Sequence, residues 1–161
     1  MLSHFRLFGL NVRADIPLLD TEQAFDAVDV RIKRSDASLP EGLVDTAPIE
    51  VYAPWLYYHN FHGQWWAEYR DYMWMKVTRD AITYYPLVEL EEADIKTYIL
   101  GTGMSLVLQQ RGYFPMHGSM VSLREKGLLF TGHRGAGKST TAAGLVEKGA
   151  TLISDDVTVL E

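Results

Sequence analysis

The segment Gly132-His133-Arg134-Gly135-Ala136-Gly137-Lys138-Ser139 constrains this chain more than any other. Two glycines bracket four residues and are followed by Lys and Ser, the spacing of a phosphate-binding loop. Glycine lets the backbone turn left-handed and approach a ligand closely. Successive N–H groups then line one concavity suited to phosphate oxygens. Lys138 would reach the β- and γ-phosphates, and the Ser139 hydroxyl would meet Mg²⁺. The flanks agree. Gly127-Leu128-Leu129-Phe130-Thr131 is a short apolar run and predicts a buried strand entering the loop. Lys138 to Lys148 carries Ala142, Ala143, Leu145 and Val146 at helical spacing, with Gly149 as a stop. The helix start adds a positive dipole end to the loop. A glycine-rich turn without a ligand is the plainer alternative, but it does not require a strand before and a helix after.

Beyond that helix runs Ala150-Thr151-Leu152-Ile153-Ser154-Asp155-Asp156-Val157-Thr158-Val159-Leu160, a β-branched stretch interrupted by two carboxylates. Paired Asp in an apolar strand is costly unless the charges are used or compensated. Regular alternation would send the two side chains to opposite faces. A break or bulge there would let both reach the loop, one to hold Mg²⁺ and one to accept a proton from an attacking hydroxyl. A solvated acidic turn is the alternative. Upstream, Met116-His117-Gly118-Ser119-Met120-Val121-Ser122-Leu123 predicts a strand, paired through Arg124-Glu125-Lys126-Gly127 with the strand that enters the loop. His117 would open that hairpin. Taken alone, such a His is more often structural than catalytic.

These three pieces, His117-Gly118, Gly132 to Ser139 and Asp155-Asp156, resemble the catalytic domain of the HPr kinase/phosphorylase family, which shares its nucleotide-binding architecture with phosphoenolpyruvate carboxykinases. The order matches, and so do the intervals: fifteen residues from His117 to Gly132, seventeen from Lys138 to Asp155. The resemblance covers about Phe114 to Glu161. It implies that ATP and Mg²⁺ are the cofactors. It implies that Lys138 and Ser139 are the phosphate and metal residues, that Asp155 is the acid/base carboxylate, that Asp156 is associated with Mg²⁺, and that His117 belongs to the active site. The loop and first helical turn, Gly132, His133, Arg134, Gly135, Ala136, Gly137, Lys138, Ser139 and Thr140, form the expected nucleotide-binding set. One departure is clear: family members often carry Ser-Glu after the loop Lys, whereas this chain has Ser139-Thr140-Thr141. A single strand–helix–strand segment has few strands with which to close a core. The sequence is therefore expected to be the N-terminal part of a longer protein.

The first hundred residues predict a separate strand-rich unit. Phe5 to Val12 reads as one strand and Val28 to Lys33 alternates; Ser35 to Pro48 is loop-like. Trp55–Tyr58, Trp65–Tyr69, Met73–Val77 and Ala81–Tyr85 suggest an antiparallel meander of aromatic strands. Trp55, Trp65, Trp66 and Trp74 could form a binding face, although core packing is the simpler use of such residues. His59 and His62 flank a Gly63 turn and read as turn residues rather than metal ligands. Glu89 to Gln110 predicts a helix with acids Glu91, Glu92 and Asp94 at its start and Ile95, Tyr98, Ile99, Thr102, Leu106 and Leu108 along an apolar side. Gly101 and Gly103 weaken that helix or let it pack closely. The expected organisation is a strand-rich unit (1–88), a bridging helix (89–112) and the first part of a P-loop kinase-like domain (113–161). The fold class is α/β in the mixed, α+β sense. The layout is similar to stand-alone HPr-kinase-like proteins, including kinases associated with lasso-peptide biosynthesis.

Composition sets outer bounds. No cysteine is present among 161 residues, so disulfides and Cys-ligated zinc are excluded and a cytoplasmic location is expected. The formal charge of −6 argues against a broad nucleic-acid surface. No apolar run suggests a secretory signal or membrane span. The leading expectation is an ATP-dependent kinase acting on a hydroxyl, a Ser of a peptide or protein. A homo-oligomer stays open. Two alternatives remain: a nucleotide-binding regulatory or interaction module without transfer chemistry, and a carboxykinase-like enzyme for a small organic acid.

Overall fold

The computed structural model describes residues 2–133, 135–155 and 157–160. It is a mixed α/β structure, and the chain divides into two compact units, Met1–Arg111 and Gly112–Glu161.

The first unit is an eight-stranded sheet. Its strands are β1 (Ser3–Leu7), β2 (Leu10–Ala14), β3 (Val30–Arg34), β4 (Glu50–Ala53), β5 (Leu56–Phe61), β6 (Gln64–Tyr69), β7 (Met73–Thr78) and β8 (Ala81–Pro86), in spatial order β1-β2-β3-β8-β7-β6-β5-β4. The predicted meander is β5 to β8, each strand antiparallel to the next. The predicted single strand from Phe5 to Val12 is instead the hairpin β1–β2, because Phe8 and Gly9 both take positive φ (50° and 76°) and reverse the chain. β3 pairs in parallel with β2 and with β8, which ties the N-terminal hairpin to the meander.

Alternation along these strands builds two cores. On one face, Trp66 and Trp74 bury against Leu43 from the 35–48 loop. Burying a side chain of this size stabilises by roughly 1.5–3 kcal/mol. Buried His59 shares that face; its Nδ1 lies 3.0 Å from the Thr46 carbonyl and its Nε2 2.9 Å from Glu68 Oε2. His59 thus joins loop to sheet, while His62 occupies the following turn with φ 51°. Trp55 remains exposed, so the four tryptophans are divided between core and surface.

The other face carries Met73, Met75, Val77 and Ile82 beneath a helical segment. That segment is α1 (Glu92–Tyr98), a π-helical turn (Ile99–Gly103) and α2 (Met104–Gln110). Gly103 permits the contact: a Cβ there would lie 2.9 Å from Ile82 Cδ1. Two bonds anchor the segment's end. Arg111 Nε donates to the Arg79 carbonyl and Nη2 to the Asp29 carbonyl, each at 2.8 Å.

The second unit is smaller. A long strand β9 (Phe114–Leu123) runs antiparallel to β10 (Lys126–Thr131) through a tight turn, and to β11 (Thr151–Ser154) and then β12 (Val157–Leu160). α3 (Lys138–Val146) lies between β10 and β11 in sequence and packs Ala142 and Leu145 on Val121, Leu123 and Phe130. β10 forms as predicted but is not buried: its residues are exposed or half-buried, because it lies at the sheet edge and α3 covers only part of it.

Candidate functional site

The glycine loop connects β10 to α3, the strand–loop–helix order its chemistry requires. Gly135 and Gly137 both have φ 82°, the left-handed region where a side chain would strain the backbone, and nothing lies within 4 Å of where either Cβ would be. Gly137 is the residue that hands the loop to α3. The first N–H groups of a helix have no partner within it, so the amides of Lys138, Ser139 and Thr140 belong to the loop's donor set. The His133 carbonyl accepts from the Ala136 amide at 3.1 Å. Lys138 Nζ folds back over the loop and donates to the carbonyls of Gly132 and His133 at 3.0 and 3.2 Å. Arg134 lies outside the described residues.

Asp155 comes to this loop from the other end of the helix. Along β9 the pairing moves from Leu152↔Val121 to Ser154↔Met120, a bulge, and resumes at Val157↔His117. The one-residue shift and the gap that follows put Asp155 beside Ser119. Ser139 Oγ donates to Asp155 Oδ1 at 3.0 Å. Ser119 Oγ donates to the same oxygen and lies 3.4 Å from Ser139 Oγ. Ser139 and Asp155 are exposed, whereas Ser119 is buried at 1% relative exposure. Asp156 lies outside the described residues.

His117 is on β9 opposite Val157 and is exposed. Alternation places it on the same face of β9 as Ser119 and Val121, the face covered by α3. Gly118 between them faces the other way, and it has a steric reason to be glycine: a Cβ would stand 2.6 Å from the Phe130 carbonyl oxygen. Thr140 is exposed in the first turn of α3.

The loop, Lys138, Ser139 and Asp155 therefore form one cluster within the second unit. Of the β9 residues, the sequence motifs point to His117 and not to Ser119. The signal was available in part: alternation from His117 makes Ser119 the next residue on the same face, directly across the hairpin from Phe130.

Residues 110–161 match the family described as HPr Serine kinase C-terminal domain. Curated relatives agree over the same size of segment. The HPr kinase/phosphorylase of Pelodictyon phaeoclathratiforme is 50% identical over 48 residues, which is 30% of this chain and 14% of that protein. That of Chlorobaculum tepidum is 45% identical over 49 residues, again 30% and 14%. That of Lactobacillus acidophilus is 51% identical over 41 residues, 26% of this chain and 13% of that protein. Over this segment the chain is HPr kinase-like. The HPr kinase-like stretch contains every residue of the cluster, and it spans only about one seventh of the length of those relatives. No solved structure matches the chain.

The donor set fits the cofactors that the resemblance implies. Mg²⁺ takes oxygen ligands, usually one or two carboxylates together with phosphates and waters. A serine hydroxyl bonded to a carboxylate at a helix start, beside an ammonium folded over a glycine loop, has that chemistry. No helix among the described residues is long and apolar enough to cross a membrane.

Proposed function

We propose that this chain belongs to an ATP-dependent kinase that transfers the γ-phosphoryl group to the hydroxyl of a Ser in a peptide or protein, in the cytoplasm. The observation that carries the reading is the Ser139–Asp155 hydrogen bond at the mouth of the glycine loop. It joins a phosphate-binding element to a carboxylate from a different strand. The HPr kinase-like sequence of residues 110–161 supports the same reading.

The residues divide the work as follows. The Gly132–Thr140 backbone would cradle the phosphates, and Lys138 would leave the loop carbonyls to pair with them. Ser139 would hold Mg²⁺ together with the Asp156 carboxylate; the ion would supply charge neutralisation to the phosphates. Asp155 would accept the proton of the attacking hydroxyl. His117, on the same face of β9, would help position or charge-balance the transferring phosphoryl group. Phosphoryl transfer asks little covalent chemistry of a protein, so positioning and electrostatics supply most of the rate.

Calorimetric titration with Mg²⁺–ATP tests the nucleotide site. Wild type is expected to bind, and Lys138→Ala to bind about 10- to 100-fold more weakly, the worth of one charge-assisted contact of roughly 1.5–3 kcal/mol. Affinity undiminished in Lys138→Ala would remove Lys138 from the site. Transfer of labelled phosphate to a protein fraction should be lost in Asp155→Asn. Binding without any phosphoprotein product would favour a nucleotide-responsive interaction module instead.

A further inference from the structure

The buried Ser119 has no part in the roles above, yet it touches both exposed members of the cluster. Its hydroxyl donates to Asp155 Oδ1, the same oxygen that accepts from Ser139, and its Oγ stands 3.4 Å from Ser139 Oγ. Ser119 is buried within the sheet. It sits in the middle of β9, paired across to Phe130 of β10, with Gly118 and Val121 also buried. Asp155 lies between β11 and β12, and its carbonyl accepts from the Val157 amide at 3.1 Å.

We infer that Ser119 is a positioning residue: its hydroxyl fixes the rotation of the Asp155 carboxylate so that one oxygen meets Ser139. This rests on the kinase reading and deepens it, assigning to β9 the support of the carboxylate that is bonded to the metal-binding Ser139. A donor from the central strand of the sheet sets the orientation of this carboxylate, as hydrogen bonds behind metal-ligating side chains generally do. An alanine at 119 would keep the packing of a small buried side chain and lose only the donor.

The first experiment is a Mg²⁺ titration at fixed fluorescent ATP analogue, with wild type, Ser119→Ala and Ser119→Thr. In Ser119→Ala the Mg²⁺ concentration for half-maximal binding should rise about tenfold or more, as is usual when a ligand's outer partner is removed. Binding of the analogue without Mg²⁺ should not change, and Ser119→Thr should restore the wild-type requirement. A general loss of folding would lower binding with and without metal alike, and would not be rescued in this way. The second experiment is a double-mutant cycle on urea unfolding with Ser119→Ala and Asp155→Asn, which needs no nucleotide. Non-additive effects are expected from a direct bond. An unchanged Mg²⁺ requirement in Ser119→Ala, or strict additivity in the cycle, overturns the positioning role. A wild-type chain that takes up no analogue overturns the kinase reading itself, and coupling in the cycle would then stand as a structural bond alone.

Discussion

At the scale of single residues, tyrosine hydroxyls give the first unit a defined response to alkali. Tyr69 is buried, its ring stacks on Tyr98 at 3.9 Å, and its hydroxyl shares a 2.6 Å hydrogen bond with Thr102 in the π-helical turn. Burial pushes its pKa up from 10.0 to about 12, against a smaller opposing effect of the Thr102 bond. The folded protein therefore keeps this proton at pH values where the unfolded chain has lost it. Its contribution is fully present below about pH 10 and declines as pH rises toward 12. The whole decline is worth on the order of 2–3 kcal/mol at most. Tyr58 and Tyr84 are raised too, by burial first, so Tyr69 accounts for a share. Urea unfolding at pH 9 and pH 11 should show a stability loss that is smaller in Tyr69→Phe. An equal loss in the variant would place the titration elsewhere. The candidate site is a residue-scale lesson of another kind. The glycine loop was legible because its chemistry is contiguous in sequence. Ser119 was not, because its meeting with Asp155 depends on a bulge at Leu152/Ser154 in a pairing between distant strands.

Among elements, the β9–β10 hairpin holds two opposed steric demands. Its turn residues Arg124 and Glu125 both have positive φ (51° and 62°), as a two-residue turn matching strand twist requires. That conformation costs a non-glycine residue roughly 1–2 kcal/mol. Gly118, six residues upstream of the turn, meets the Phe130 carbonyl so closely that a methyl group must shift the neighbouring backbone. Glu125→Gly should therefore stabilise the hairpin by up to about 1 kcal/mol, and Gly118→Ala should destabilise it by about 1–3 kcal/mol. Amide hydrogen exchange along Leu128–Phe130 reads both: slower in the first, faster in the second. The same sign for both would mean that the hairpin does not limit local opening. The hairpin itself was legible from a polar turn between two apolar runs, as was the β5–β8 meander. The β1–β2 turn was not, since Phe8-Gly9 continues an apolar run and carries no polar turn residue. The parallel placement of β3 between β2 and β8 depends on contacts remote in sequence, which no local pattern encodes.

For the whole molecule, the division at Arg111 separates two kinds of content. Every described residue of the candidate site lies in Gly112–Glu161, and all four tryptophans lie in Met1–Arg111. The first unit has what independent folding requires: apolar side chains covered on both faces of one sheet, by Leu43 and its loop on one side and by the helical segment on the other. Its last residue is also an anchor, since Arg111 ties the end of α2 to the carbonyls of Arg79 and Asp29. A fragment ending at Arg111 is therefore expected to unfold cooperatively in urea. Its fluorescence should keep the blue-shifted emission of indoles buried at positions 66 and 74, as in the full chain. Arg111→Ala in the fragment should cost about 1–2 kcal/mol, because one half-buried and one exposed carbonyl lose charge-assisted donors. Emission like that of free tryptophan, with no cooperative transition, would show that the sheet needs the second unit to hold Trp66 and Trp74 in place. The full structure would then be a single cooperative unit despite its division into two compact parts.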